Sequence, residues 1–382
     1  MRKLKVFVTL GTRPEAIKLA PLILRCRAIP EIDLTVCNTG QHSSLARDML
    51  SAFGIEADID LGVMQPGQTL TELTTNIMRS IEGPLKQGKP DWVIVQGDTT
   101  TSFTAALAAF YQKISVAHVE AGLRTGDRYS PWPEEINRRL NSALATAHFA
   151  PTERSRQNLI VEGIPSDRII VTGNTGIDAL KQAAKILDED NGRTEAVARD
   201  LIAQGLTFLS DLDQAKDTVI VTAHRRENFG DGITSICNAI VELARRYSHL
   251  KFVFPVHPNP EVVGPVDRIV RTSGCANIFL IKPLDYFPFT YLLKAARLVI
   301  SDSGGIQEES VSLGKRLVIL RDATERVELV GQSDVWIVGT DQRLIIEAVD
   351  VALGRMSDCK PLDIFGDGLA SQRIVKALEE FQ

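Results

Sequence analysis

The absences in this chain narrow it first. Its 382 residues hold five cysteines, Cys26, Cys37, Cys237, Cys275 and Cys359, odd in number and never spaced as CxxC. In a chain read as cytoplasmic, that scatter means reduced thiols packing as small apolar groups, not a disulfide framework. No His or Cys cluster has zinc-ligand spacing: His249 and His257 stand eight residues apart, and HExxH does not occur. No metal is expected. No apolar run approaches the ~18 residues of a membrane span, and the N-terminal stretch is too short for a signal peptide, reading instead as a first strand. The expectation is a cytoplasmic protein with no membrane partner. An excess of positive charge is also missing, since 43 Lys and Arg face 48 Asp and Glu for a net charge of −5. That balance excludes the broad basic surface of sequence-independent nucleic-acid binding, while leaving room for a local anion site. GxGxxG is absent too, so a nicotinamide site has no support and no cofactor is expected. The stretch from Gly83 to Lys89 matches GxxxxGK, but Pro90 stands where Ser or Thr must bind Mg²⁺, and a strand follows rather than precedes it. It is not a P-loop.

What is present is ordinary globular material, 44% hydrophobic and 24% charged. The length predicts two or three domains at about 150 residues each. Near-continuous apolar runs predict strands at 4–10, 34–39, 92–96, 115–119, 218–222, 251–256, 278–281, 298–301, 317–320 and 335–338. Helical patterns fall between them, at 14–27, 101–111, 134–147, 232–246 and 305–313, with a last helix at 368–380. Strands covered on both faces and alternating with helices imply an α/β fold of doubly wound parallel sheets. The rhythm breaks once, between about 180 and 217, around the charged stretch Asp188-Glu-Asp-Asn-Gly-Arg193. Two Rossmann-like domains are therefore expected, 1–172 and 173–365, with the C-terminal helix of 366–382 returning to the first. Ligands of open parallel sheets bind beyond the carboxyl ends of strands, so two such domains would line an interdomain cleft with strand-end loops.

The chemistry-bearing residues concentrate at those ends. Gly11-Thr-Arg-Pro-Glu-Ala-Ile-Lys18 follows the first strand. Pro14 suits a first helical position, and Arg13 and Lys18 bring two cations toward a helix N-terminus, a suitable place for an anion. Solvated charges on a surface helix are the competing account. Asp98, after the strand at 92–96, either caps the next helix or serves chemistry. Glu120, ending the strand at 115–119, is costly to bury unless paired or used. Glu134 follows Ser130-Pro-Trp-Pro133, where a helix dipole alone would favour a carboxylate. His224, followed by Arg225 and Arg226 at a strand end, suits phosphate contact or a pH-tuned group, or a solvated turn. The strongest single segment is Ser301-Asp-Ser303-Gly304-Gly305-Ile-Gln-Glu308-Glu309. A strand, Ser-Gly-Gly and a helix form the geometry in which backbone N–H groups hold phosphate, and a carboxylate one turn on could accept from ribose hydroxyls.

The ordered set of motifs resembles the non-hydrolysing UDP-N-acetylglucosamine 2-epimerase family nearly end to end. It is carried by Gly11 to Lys18, Gly97-Asp-Thr-Thr-Thr101, Gly122-Leu-Arg-Thr-Gly-Asp127, Thr172-Gly-Asn174, His224-Arg-Arg-Glu-Asn228 and Asp302 to Glu309. The resemblance implies a glycosyltransferase-B-type fold and a homodimer. By motif, Arg13, Lys18, Phe289, Ser303, Gly304, Gly305, Glu309 and Arg326 resemble UDP-binding positions, and Asp98, Glu120, Glu134 and His224 the catalytic set. It implies a UDP-sugar substrate that, in bacterial relatives, also activates from a second site, near which Gln41 and His42 would fall. Ser310 and Val311 stand where Ala-Pro is usual, and Ala323 and Val327 replace Thr and Pro around Glu325-Arg326. These changes flank the nucleotide positions without removing them.

The implied reaction inverts carbon 2 of an N-acetylhexosamine, whose proton no carbonyl acidifies. Without a nicotinamide, the remaining route breaks the anomeric bond first, removes the carbon 2 proton to give a glycal, and re-adds UDP. It requires diphosphate stabilisation, an acid or base on each face and exclusion of water. A hydrolysing epimerase, an epimerase of a modified UDP-sugar and a retaining glycosyltransferase are the competing expectations.

Overall fold

The computed structural model describes residues 2–42, 44–356 and 358–381. The chain divides into two compact units, one running to Lys181 and resuming at Ile364, the other spanning Gln182–Asp363. The division falls inside the helix Thr175–Glu189. Among the described residues no helix is long and apolar enough to cross a membrane.

The first unit is built on β1 (Leu4–Leu10), β2 (Ile32–Asn38), β3 (Ile59–Asp60), β4 (Trp92–Gln96), β5 (Ser115–Val119), β6 (Ala147–Ala150) and β7 (Ile169–Val171). Among the described residues these form one parallel sheet in the order β3-β2-β1-β4-β5-β6-β7. Val8 faces Val36 on one side and Ile94 on the other. Val6, Phe7, Val8 and Leu10 are all buried, as a strand covered by helices on both faces demands. The helix expected over 134–147 ends at Leu144 instead, and 147–150 is strand. Ala145 turns extended (ψ 140°), and the small residues that read as helical let Phe149 and His148 bury in a central strand.

The second unit carries β8 (Thr218–Thr222), β9 (Lys251–Pro255), β10 (Ile278–Ile281), β11 (Leu298–Ser301), β12 (Arg316–Ile319) and β13 (Val335–Ile337). Its parallel order among the described residues is β10-β9-β8-β11-β12-β13. The break in rhythm near 180–217 is filled by the helices Thr175–Glu189 and Asn191–Ala203, the second capped by the Asp190 side chain. Its core packs the helix Asp231–Arg246 over Val219, Val221, Phe252 and Phe254.

Both sheets reverse their winding once. The reversal lies between β1 and β4 in the first unit and between β8 and β11 in the second. Such switch points open a crevice beyond the strand ends, because successive crossover helices leave toward opposite faces. The loops after β1 and β4 carry Arg13 and Asp98; those after β8 and β11 carry His224 and Ser303.

Candidate active site

In the first unit, β1 is followed by Gly11, where any Cβ would lie 2.1 Å from Thr39 Oγ1 and 2.4 Å from Thr101 Oγ1. Only glycine lets these three loops converge. Thr12 caps the helix Arg13–Arg27 in a reciprocal capping box with Glu15, and Pro14 occupies the first turn. Glu15 does more than cap. Its Oε2 accepts from the Gly11 amide (3.0 Å), the Thr12 amide (2.8 Å) and the Thr12 hydroxyl (2.8 Å), while Oε1 accepts from the Thr99 hydroxyl (2.6 Å). Burial pushes its carboxyl up to about 7, against the pull of those hydrogen bonds. The T-x-x-E spacing signals the cap, but nothing local signals the tie to Thr99.

Lys18, one turn beyond Arg13, aims its ammonium at Glu120, 2.6 and 2.7 Å from the two carboxylate oxygens. The Gln96 and Asn174 side-chain amides donate to the same carboxylate, Asn174 at 3.4 Å. Glu120 itself adopts the left-handed backbone region (φ 63°), which costs an L-residue of order 1–2 kcal/mol and persists where neighbours over-determine it. This turn folds a strand-end carboxylate back against β4: Glu120 Oε2 lies 3.4 Å from where a Gly97 Cβ would be. Glu120 and the Gly97–Asp98 peptide are thus adjacent. Arg13 sits half-buried at the start of its helix.

Asp98 is not a helix cap; Thr99 takes that place before the helix Thr100–Tyr111. The Asp98 Oδ2 accepts from Arg138 Nε (2.8 Å) and lies 2.7 Å from Nη2. Glu134 opens the helix Glu134–Leu144, and its Oε2 is buried with no hydrogen-bond partner among the described residues. Gln41 Oε1 accepts from the Thr101 amide (3.1 Å) and hydroxyl (2.8 Å), and the His42 amide donates to Gly11 O (2.8 Å). Gln41 and His42 therefore flank the same β1–β4 switch point, with desolvation lowering the His42 imidazole's proton affinity.

In the second unit, Asp302 organises the switch point. It is fully buried, and Oδ2 accepts from the amides of His224 and Arg225 (both 2.8 Å) and from Asn228 Nδ2 (3.0 Å). His224 Nδ1 lies 3.1 Å from Oδ1, and the His257 ring stacks on His224 with centroids 5.7 Å apart. Burial opposes the Asp302 charge, but His224 and the two amides outweigh it and hold the carboxyl below its usual range. The Asp302 carboxylate beside Nδ1 and the stacked His257 ring position the His224 imidazole at the end of β8. Asp302 was visible only as a letter within the Ser-Asp-Ser-Gly-Gly run; its grip on the β8 loop, 78 residues away, is tertiary.

Ser303 precedes the helix Gly304–Ser312, whose first residues include Gly305. The Arg326 guanidinium packs on Gly304: a Cβ there would lie 2.9 Å from the guanidinium carbon and would displace that side chain. Arg326 Nε donates to Glu308 (2.7 Å), and Arg321 binds both Glu227 (2.6 Å) and Glu325 (2.6 Å). Burial opposes the charge on Glu325, yet its arginine partners hold its carboxyl at about 2. The proton of the buried Tyr286 hydroxyl is held by burial first and then by the charge of the nearby Glu309 carboxylate. Tyr286 and half-buried Phe289 share the first turn of the helix Tyr286–Ala295. Amides at a helix start beside a fixed arginine suit a diphosphate, and the aromatic turn suits a base. Among the described residues no group of three or more His, Cys, Asp or Glu is placed to hold a metal.

Two Rossmann-like units, each with its polar residues at the sheet's switch point and one with a Ser-Gly-Gly helix start, define a nucleotide-sugar protein of glycosyltransferase-B type. A family model described as UDP-N-acetylglucosamine 2-epimerase matches residues 24–379. A Yersinia pestis protein of that name is 48% identical over 385 residues, covering 99% of both chains. The crystal structure of UDP-GlcNAc 2-epimerase from Neisseria meningitidis bound to UDP-GlcNAc aligns at a TM-score of 0.86 and 46% identity, over 99% of this chain and 100% of that one. The Methanocaldococcus jannaschii UDP-GlcNAc 2-epimerase in complex with UDP-GlcNAc and UDP aligns at 0.79 and 34%, over 99% and 100%. The chain belongs to the UDP-N-acetylglucosamine 2-epimerase family.

Proposed function

We propose that this protein interconverts UDP-N-acetylglucosamine and UDP-N-acetylmannosamine without hydrolysis, by eliminating UDP and adding it back. The observation that carries the reading is a carboxylate fixed at each of two neighbouring strand ends, Glu120 held by Lys18, Gln96 and Asn174, and Asp98 held by Arg138. In the forward step the bond between carbon 1 and the diphosphate oxygen breaks, and its electron pair leaves with UDP. A carboxylate takes the carbon 2 proton, and that C–H pair becomes the carbon 1–carbon 2 double bond of the glycal. A proton then arrives at carbon 2 on the opposite face, and UDP re-attacks carbon 1. Atoms and charge balance with no redox partner.

Asp98, Glu120 and Glu134 divide the two proton transfers in this reading, and the unpaired buried Oε2 of Glu134 supports its facing a ligand. Arg13, Ser303, Gly304, Gly305 and Arg326 stabilise the departing diphosphate; Glu309 and Phe289 serve the nucleoside; His224 contacts phosphate or moves a proton. Lys18, assigned to UDP by motif, acts first as the counter-ion of Glu120 in this structure. We further propose a cytoplasmic homodimer in which Gln41 and His42 belong to a second, activating UDP-sugar site.

Proton NMR of the protein with UDP-GlcNAc alone in heavy water tests the reaction. The expected result is a second anomeric signal for UDP-ManNAc with deuterium at carbon 2 of both sugars. Accumulating UDP and free N-acetylmannosamine would mean hydrolysis instead, and an unchanged spectrum would point to a modified sugar or to a transferase needing an acceptor. Asp98→Asn and Glu120→Gln should each lower turnover ~10²-fold, the scale of an acid–base contribution.

A further inference from the structure

The helix Glu134–Leu144 presents Glu134, Asn137, Arg138 and Asn141 at spacings of one helical face. Three of the four close on a single short segment. The Asn141 side-chain amide donates to Gly97 O (3.2 Å), the Asn137 amide donates to Asp98 O (2.9 Å), and Arg138 Nε donates to Asp98 Oδ2 (2.8 Å). His118 Nε2 adds a 2.7 Å contact to Gly97 O from β5. Two successive carbonyls and one carboxylate oxygen are thus fixed by a rigid element whose first residue is Glu134.

Arg138 is itself immobilised. Its side chain is 14% exposed, and Nη1 donates to Glu135 (3.2 Å), a fully buried carboxylate that also accepts from the Thr125 amide (3.0 Å). The guanidinium therefore approaches Asp98 from one side only, with both contacts converging on Oδ2. A fixed fork aimed at one oxygen of a reacting carboxylate is a device for setting direction, since a misplacement of about 1 Å can cost ~10²-fold in rate.

We propose that Arg138 is a positioning residue for the reaction: it anchors Asp98 through Oδ2, leaves Oδ1 to exchange the proton with carbon 2, and keeps Asp98 in register with Glu134 along one helix face. The inference rests on Asp98 having the acid–base role given above. Asn137 and Asn141 fix the carbonyls of Asp98 and Gly97, so the backbone that carries the carboxylate is held while Arg138 holds Oδ2.

The test is a double-mutant cycle on the full-length enzyme, read as kcat and KM for UDP-GlcNAc epimerisation. Arg138→Met should lower kcat by about 10²-fold while KM stays within about threefold, the signature of an interaction used in the transition state. In the Asp98→Asn background the same substitution should change kcat by less than about twofold, because a residue acting through Asp98 has nothing left to act on. Guanidinium ion added to Arg138→Ala should restore about tenfold of the lost kcat, which a packing role would not permit. A loss that multiplies with that of Asp98→Asn, or a kcat for Arg138→Met within twofold of wild type, would overturn the proposal. If the methionine variant does not fold, Arg138→Lys replaces it in the cycle: a loss of about tenfold alone and none beside Asp98→Asn is expected, and an independent loss overturns it. Should Asp98→Asn itself keep wild-type turnover, the acid–base reading fails first, and that outcome is distinct from the others.

Discussion

At the scale of single residues, two buried groups give this protein opposing responses to pH. Glu15 has its carboxyl pushed up by burial to about 7 from 4.5. Between those values the folded chain holds a proton that the unfolded chain has released, so its contribution is full below pH 4.5 and lost as pH rises to 7. His118 runs the other way. Burial, with the neighbouring His148 and Arg124 charges, brings its imidazole down to about 3 from 6.5, against the Gly97 carbonyl. Its contribution is full above pH 6.5 and lost as pH falls toward 3. Replacing Glu15 by Gln separates them, because the amide oxygen can accept the three donors at Oε2 while its NH₂ meets the Thr99 hydroxyl. Calorimetry of the two proteins at pH 5 and pH 8 should show the wild type losing more stability over that rise than Glu15→Gln, by up to about 3 kcal/mol at ~1.4 kcal/mol per pH unit. Parallel pH profiles would show that Glu15 does not carry this proton.

At the scale of elements, the unit of function is a strand end delivering a loop to a helix start, and Gly304 offers a test of it. That residue has no conformational need for glycine; it is small because the Arg326 guanidinium fills the space a Cβ would occupy. Gly304→Ala should therefore leave the helix intact and push Arg326 off Glu308. Calorimetric titration with UDP should find affinity weakened about tenfold or more, the loss of one charge-assisted contact worth ~1.5 kcal/mol. Unaltered UDP affinity would remove Arg326 from the nucleotide site. The same strand ends explain what could be read without coordinates. Runs such as Val-Ile-Val-Gln at 93–96 declare buried parallel strands by composition, and the loop that must follow each one marks where to look for chemistry. The two-residue β3 and the Ala-rich β6 carry no such signal, since pairing with neighbours defines them. Motif also gave Lys18, Glu120, Asp98 and His224 as chemistry-bearing but not their partners. Lys18 meets Glu120 across 102 residues, Arg138 meets Asp98 across 40, and Asp302 meets His224 across 78. No local pattern encodes such pairings, because they exist only once parallel strands lie side by side.

At the scale of the whole molecule, the chain leaves the first unit within one helix and re-enters it at Ile364, so that unit is closed by residues from both ends of the sequence. The crossing is tight: the Asn174 amide donates to Phe365 O (2.7 Å), and a Cβ on Gly173 would lie 3.0 Å from the Gly366 Cα. Lys181 Nζ then donates to Asp367 O (2.7 Å), and Arg373 reaches both Asp367 and the Thr172 carbonyl. The helix Ala370–Glu380 starts on Asp178, whose carboxylate accepts from the amides of Ala370 (3.1 Å) and Ser371 (2.7 Å). It buries Ile374, Val375 and Leu378, and Phe381 meets the Trp92 ring edge-on at 6.2 Å. Burying an aliphatic or aromatic side chain is worth about 1.5–3 kcal/mol, so Phe365 and those three residues together contribute at a scale comparable with the ~5–15 kcal/mol stability of a whole domain. Deleting 364–382 also leaves the Asp178 carboxylate without the two amides it accepts from. The loss should fall on one unit. Native-state hydrogen exchange on the truncated chain should show amides of β1 and β4 exchanging at the rate of an unfolded segment, while those of β8 and β11 keep their protection. Equal loss in both sheets would mean that the units fold as a single cooperative body. Unchanged protection in β1 would mean that the returning helix is dispensable to the sheet it covers.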